Sequence, residues 1–349
     1  MKPQPIQSSD GEIVLVSASD SGYAMPLAVT IRSVLDHLAP HRRLRLYVFD
    51  GGLTPHDRER LLASWHDPRL AVEWMTPDLK LVRDLKESEH VNLITYLRLL
   101  MPAVLPNHVS RAIYIDADML IRYDLGVLWD EPQGDHAALA VQDVAAPWID
   151  ANISAANRPL CRNLLCAQTP VVNYRDFHIA PESKYLNGGM LVVDLAQWRR
   201  DKLSEKMLAA LREHPHHVLW WDQYALNAVL AGKWRSLDLR WNQGAHIFAY
   251  PTWQHSPFDR DEYNLLRSQP WIVHFCSPSK PWHYFCHHPF TNDWRQCLAR
   301  TEWRDWKPAK PDEYLSKLWE FYYQPVRSEW KRRVRAIKQR IRGPRKKAA

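Results

Sequence analysis

Between Arg111 and Asp130 the chain reads RAIYIDADMLIRYDLGVLWD, and the apolar run Ala112–Ile115 stops there at two carboxylates, Asp116 and Asp118. Residues i and i+2 of a strand face the same side, so a strand continuing past Ile115 presents both acids to one point. Like charges so placed call for a cation between them. Hard oxygen donors at the carboxyl end of an α/β strand suit Mg2+ or Mn2+ carrying phosphate oxygens, and open α/β sheets bind ligands at that end. The competing reading is a solvated turn, because Asp-X-Asp is a common tripeptide.

The flanking sequence supplies the rest of an α/β pattern. Ile13–Ser17, Leu44–Phe49, Ala71–Met75, Ala112–Ile115, Ala137–Val141, Tyr185–Asp194 and Trp271–Phe275 read as strands. Between them Leu27–Leu38 has helical spacing. Thr54 caps a helix running to Ser64, with Pro55 at its first position. Asn92–Met101 reads as a helix stopped by Pro102, Trp198–Leu211 as one helix, and Asp222–Leu230 as another stopped by Gly232. Strands alternating with helices predict a doubly wound parallel or mixed sheet. The polar, Pro-interrupted stretch Ala145–Ser183 reads as a loop over the site or a small helical insertion.

With 349 residues the chain can bury a full core, and its 46% hydrophobic content and 17 Trp exclude a disordered protein. No apolar stretch approaches the roughly 20 residues of a membrane span and no cleavable leader is recognisable, so a cytoplasmic location is expected. Cys161, Cys166, Cys276, Cys286 and Cys297 form an odd set without a CxxC pair, and reduced thiols are expected. From Arg327 to Ala349 there are eleven Lys or Arg against one Glu, a charge of +10, which leaves residues 1–326 at −3. The basic character therefore belongs to the tail, and no basic face on the body suggests nucleic acid. In that tail Trp330, Val334, Ile337 and Ile341 fall on one helical stripe, with Lys331, Arg332, Arg333, Arg335, Lys338, Arg340 and Arg342 around it. Preceded by Trp319, Phe321, Tyr322 and Tyr323, this is a basic amphipathic helix suited to an anionic bilayer surface; the alternative is a helix packed on the body.

Several weaker signals share the site chemistry. His274 ends an apolar run and opens HFCSPSKPWH, placing an imidazole and the Lys280 ammonium on one loop. With Asp116 and Asp118 an imidazole would favour Mn2+ over Mg2+, and Lys280 would give a phosphate a point charge. Alone, a His at a strand end is more often a hydrogen-bonded structural residue than a ligand. Asn187-Gly188-Gly189 reads either as a strand-entry turn or as close backbone approach to a sugar. Asp222-Gln223 reads either as a helix start or as a carboxylate and an amide aimed at a reacting sugar.

Taken in order, SASDSGY, TYLRL, YIDADMLI, YLNGGMLVVDLAQW, WDQYALN, WN and HFCSPSKPWH resemble the family-8 retaining glycosyltransferases, among them bacterial lipopolysaccharide glucosyl- and galactosyltransferases and the glycogenins. The resemblance spans about Ile13 to His283. It implies a GT-A fold, a Rossmann-like mixed sheet, with residues 1–285 as the catalytic domain and 286–349 as an aromatic and basic membrane-association region. It implies a UDP-sugar donor, UDP-glucose or UDP-galactose, and a glycan or glycolipid acceptor such as a lipopolysaccharide core. The metal would be Mn2+, with Mg2+ as the alternative, held by Asp116, Asp118 and His274 around Ala117. Lys280 and the Ser277 loop would contact the diphosphate. Ala18, Asp20 and Tyr23 would hold the nucleoside, Arg98 a donor phosphate and sugar, and Asp143, Asn187, Gly188, Asp222 and Gln223 the sugar pocket. Gln223 would lie nearest the anomeric carbon. The chain departs from the pattern at Gly22, where many relatives carry Asn, and at Ser277, where Gly is common; Gly189 in place of Ala is read as a neutral difference. The implied place of work is the inner face of the cell membrane.

Two rival classes predict other features. A sugar-nucleotide nucleotidyltransferase is expected to carry a Gly-rich basic loop near its start, and SASDSGYAMP has no Lys or Arg. A non-catalytic sugar-binding protein has no use for two acids, an imidazole and an ammonium together.

Overall fold

The computed structural model describes residues 11–86, 93–153, 160, 166, 168–319, 321 and 323. The basic stripe beginning at Trp330 lies outside the described residues.

Seven strands form the central sheet: β1 (Glu12–Ser19), β2 (Arg43–Asp50), β3 (Leu70–Met75), β4 (Arg111–Ile115), β6 (Ala138–Gln142), β7 (Leu186–Asp194) and β8 (Trp234–Ser236). Their order is β3-β2-β1-β4-β7-β6-β8. All pairings are parallel except those of β7, which runs antiparallel between β4 and β6. Alternation along each strand builds two apolar layers. Ala112 and Tyr114 of β4 join Val14 and Val16 of β1 on one face, while Ile113 and Ile115 join Ile13 and Leu15 on the other. Helix Ala24–His37 packs in the second layer, which continues through Trp294, Cys297 and Trp303.

A smaller sheet is formed by β5 (Met119–Ile121), β10 (Ile272–His274) and β9 (Gln243–Gly244), in the order β5-β10-β9. Here β10 pairs antiparallel with β5, placing His274 opposite Met119, and parallel with β9, placing His274 beside Gly244. Three short, fully buried segments separate in the chain thus meet in one small sheet.

Several local expectations are corrected. β4 ends at Ile115 and the chain turns through Ala117 and Asp118, so the two acids come from a tight turn between β4 and β5 and not from a continuing strand. The turn is pinned by the buried Thr30 hydroxyl, 2.8 Å from the carbonyl oxygens of both Ala117 and Met119. Leu93–Leu100 is a 3-10 helix, and Pro102 starts the following turn Met101–Val104, where its missing N–H costs nothing. The single helix expected from Trp198 to Leu211 is two, Leu195–Arg200 and Leu203–Glu213, separated at Lys202 by a left-handed backbone (φ 52°). Within Ala145–Ser183 the described residues include a 3-10 turn at Ala151–Ile153 and a bridge from Trp148 to Lys184. Cys166, Cys276, Cys286 and Cys297 are free thiols. No helix among the described residues is long and apolar enough to cross a membrane.

Candidate active site

The reversed direction of β7 determines what gathers at the carboxyl ends of β4 and β6. Its first residues, Asn187-Gly188-Gly189, lie beside Asp116, which follows β4, and Asp143, which follows β6. The register with β6 jumps between Ala140–Leu191 and Val141–Asn187, so Gly188 and Gly189 leave that ladder. The Gly189 carbonyl instead accepts the Asp116 N–H at 2.9 Å.

Asp116, Asp118 and His274 each offer a ligand atom, and the three atoms lie within 4.8 Å of one another. His274 Nε2 is 3.6 Å from Asp116 Oδ2 and 3.4 Å from Asp118 Oδ1. The smaller sheet makes this meeting, since the Phe275 N–H donates to the Asp118 carbonyl (3.0 Å) one step beyond the His274–Met119 pair. Burial works to lower the imidazole, yet Cys276 when ionised, Asp118 and Asp116 outweigh it and push it up to about 9. Asp118 is held well below the usual carboxylate range, its burial overcome by Lys280 and His274. Lys280 Nζ donates to Asp118 Oδ2 and to the Phe275 carbonyl, both at 2.6 Å. Those bonds use two of its three donors.

Arg98 joins Asp116 to Asp222. Its Nη2 lies 2.8 Å from Asp116 Oδ1, its Nε 2.9 Å from Asp222 Oδ2, and its Nη1 donates to the Gly188 carbonyl. The guanidinium stacks over Tyr114, whose hydroxyl donates to Asp116 Oδ1 at 3.0 Å. Because Arg98 Nε–H is aimed at the Thr95 carbonyl (3.1 Å), Asp222 Oδ2 receives charge without a directed hydrogen bond. Burial raises Asp222 to about 6 against the opposing pull of Arg98, with Asp116 adding to the rise.

The remaining expected residues fall into two groups around this centre. Asn187 Nδ2 and Gln223 Nε2 both donate to Asp143 Oδ2, at 2.7 and 3.0 Å, while Gln223 Oε1 accepts the Gly188 N–H at 3.0 Å. Ala18 is the penultimate residue of β1, which leads into a 3-10 turn, Ser21–Tyr23, that Asp20 caps by accepting the Tyr23 N–H at 3.0 Å. The Tyr23 ring packs edge-on against Trp282, and its phenol is raised by burial and feels Lys280 and Asp118. Ser277 stands apart in its chemistry, since its hydroxyl donates to the Ser279 carbonyl (3.1 Å) in the loop carrying Lys280.

Sequence reasoning missed Tyr114, Thr30 and Asn242. The WN pair in the family pattern was the signal for Asn242, which is buried with Oδ1 2.9 Å from His274 Nδ1. It also misjudged Gly189. A Cβ there would lie 2.3 Å from His274 Cε1 and 2.9 Å from Asp116 Oδ2, so glycine is what lets the imidazole reach the acids.

The family model described as glycosyl transferase family 8 matches residues 14–286. The chain belongs to glycosyl transferase family 8. Among its family relatives, general stress protein A of Bacillus subtilis is 28% identical over 292 residues, covering 83% of this chain and 94% of that protein. The lipopolysaccharide 1,3-galactosyltransferase of Salmonella typhimurium is 22% identical over 291 residues, covering 81% of this chain and 77% of the other. In fold, the galactosyltransferase LgtC, solved with donor and acceptor sugar analogs, superposes with a TM-score of 0.66 at 21% identity, over 87% of this chain and 100% of that one. The mixed, mostly parallel central sheet is that of a GT-A family-8 transferase.

Two outcomes test this geometry. Gly189→Ala should displace the His274 ring and cost about 1–3 kcal/mol by overpacking, read from urea unfolding and a crystal structure of the variant; an unmoved ring refutes the contact. Asp222 has a folded carboxyl near 6 against an ordinary 3.8, so the folded protein binds its proton more tightly than the unfolded chain does. Its contribution is complete below the unfolded value and is lost as pH rises through about 6. Relative to Asp222→Asn, which cannot ionise, the wild type should lose roughly 3 kcal/mol of unfolding free energy between about pH 4 and 7.

Proposed function

We propose that this family-8 transferase moves a hexose, glucose or galactose, from its UDP-sugar to a glycan acceptor with retention of configuration. The observation that carries the reading is the convergence of Asp116, Asp118 and His274 with Lys280 and Arg98 at the carboxyl end of the sheet, beside Asn187 and Gly188 at the start of β7 and Gln223.

The donor set fits a divalent ion with borderline character, because two carboxylates and one imidazole suit Mn2+ better than an all-oxygen set would, and Mg2+ is the second choice. When bound, that ion supplies Lewis-acid stabilisation of the charge developing on the departing diphosphate. Lys280 adds a point charge to the same phosphates, and its prior hold on Asp118 keeps it oriented. Tyr23 offers an aromatic face and Asp20 a carboxylate to the nucleoside. Asp222 Oδ2, buried and without a directed donor, suits a hydroxyl of the transferred sugar, and Arg98 keeps that carboxylate charged at neutral pH.

Retention is commonly achieved through a carboxylate nucleophile. Gln223 is an amide, and both its polar atoms are engaged, one with Asp143 and one with the Gly188 N–H. It therefore serves to position the anomeric carbon while the acceptor hydroxyl attacks on the leaving-group face and passes its proton to the departing phosphate. Asp222 is the alternative nucleophile, already committed to Arg98. Nucleotidyl transfer is disfavoured, since the loop at Ala18–Tyr23 carries no basic group, and passive sugar binding leaves the acid–imidazole–ammonium cluster without purpose.

We further propose work at the inner membrane surface on a lipid-linked glycan such as a lipopolysaccharide core. Leu315, Trp319 and Tyr323 are exposed at i, i+4 and i+8, and the apolar spacing continues in sequence to Trp330, Val334, Ile337 and Ile341 among eleven basic residues. Full-length protein should float with anionic vesicles while a chain ending at Gln324 should not; equal partition refutes the membrane reading. For the chemistry, Asp118→Asn should lower Mn2+-dependent release of UDP from UDP-glucose or UDP-galactose by roughly 100- to 1000-fold with an unchanged fold by circular dichroism. Near-normal turnover by that variant refutes the metal assignment.

A further inference from the structure

A chain of side-chain amides runs from the sugar-facing acid to the imidazole, and each link has only one polarity open to it. Asp143 Oδ2 accepts, so the Asn187 atom 2.7 Å away is the amide nitrogen. The other Asn187 atom is then the carbonyl oxygen, a choice fixed a second time by the Gly189 N–H that donates to it at 2.9 Å. Asn242 must present its own nitrogen to that oxygen, at 2.9 Å. Its carbonyl oxygen is thereby left facing His274 Nδ1, also at 2.9 Å, where only an N–H satisfies it. A backbone donor and a carboxylate at one end thus dictate which ring nitrogen carries hydrogen at the other.

We propose that Asn242 is a positioning residue that fixes His274 as the Nδ1–H tautomer and turns the Nε2 lone pair toward Asp116 and Asp118. The inference rests on the reading of those three residues as a divalent-ion site. It adds a connection: Asp143 Oδ2 takes hydrogen bonds from both Asn187 and Gln223, so the amide beside the reacting sugar and the amide that holds Asn242 share one anchor. Asn242 is 2% exposed and immediately precedes β9, whose pairing with β10 sets its distance from His274. Without its oxygen, the imidazole has no reason to keep hydrogen on Nδ1, and the Nε2–H form cannot ligate.

The test uses full-length protein without nucleotide, titrated with Mn2+ alone and read by the electron paramagnetic resonance of the free ion. Asn242→Leu should weaken Mn2+ binding by about 10- to 100-fold, the range for partners that orient metal-bound histidines. Asn242→Asp, which keeps an acceptor for Nδ1–H, should bind more tightly than Asn242→Leu. Independently, nitrogen-15 spectra of metal-free wild type, followed upward in pH until the ring is seen to lose its proton, should show neutral His274 as Nδ1–H. A folded Asn242→Leu with unchanged Mn2+ affinity, or an Nε2–H signal in the wild type, overturns the proposal. Wild type that binds no Mn2+ overturns the metal reading instead, while the spectrum decides the relay even if Asn242→Leu fails to fold.

Discussion

Crowding of negative charge at the carboxyl end of the sheet is the constraint around which the molecule is organised. Asp116, Asp118, Asp143 and Asp222 converge there, and all but Asp116 are buried. Unpaired, such charges would oppose folding by several kcal/mol each. Arg98 is threaded between Asp116 and Asp222, Lys280 is drawn onto Asp118, and backbone N–H groups of Ala145 and Ala146 serve Asp143. The compensation is uneven. His274 is pushed up and Asp222 stays near 6, which leaves the centre with residual demand for a cation and for a hydroxyl donor.

The two sheets divide the labour. The seven-stranded sheet supplies the floor, and its one reversed strand brings the Asn187 side chain and the backbone of Gly188 and Gly189 to the carboxyl ends of β4 and β6. The three-stranded sheet packs Met119, Leu120, Ile121, Ile272 and Val273 into the second apolar layer. Its register aligns the residue after Asp118, the end of β10 and the end of β9, and so fixes Asp118, His274 and Asn242 relative to one another.

Much of this was legible in the sequence because it is local. Strand β2, the Thr54 cap with Pro55 behind it and the helix Trp221–Leu230, expected from Asp222, depend on alternation, spacing and capping, which single stretches of sequence carry. The set Asp116, Asp118, His274 and Lys280 was legible through family order and not through spacing, since Lys280 and Asp118 are 162 positions apart. What escaped depends on tertiary contact. The turn at Ala117 exists because Thr30 reaches it from a helix 87 residues earlier, and no local pattern announces that bond. Gly189 looked interchangeable with Ala because its turn permits a Cβ, whereas the imidazole packed over it does not. The break at Lys202 hid because apolar spacing persisted across it.

Since β10 closes the smaller sheet from late in the chain, synthesis itself sets the order in which the acid cluster is assembled. A polypeptide emerging from the ribosome presents the loop after β1, the Asp116–Asp118 turn and the glycine pair long before His274 and Lys280 exist. Until β10 arrives and pairs with Met119, the two acids of that turn stand without the imidazole and the ammonium that meet them in the folded chain.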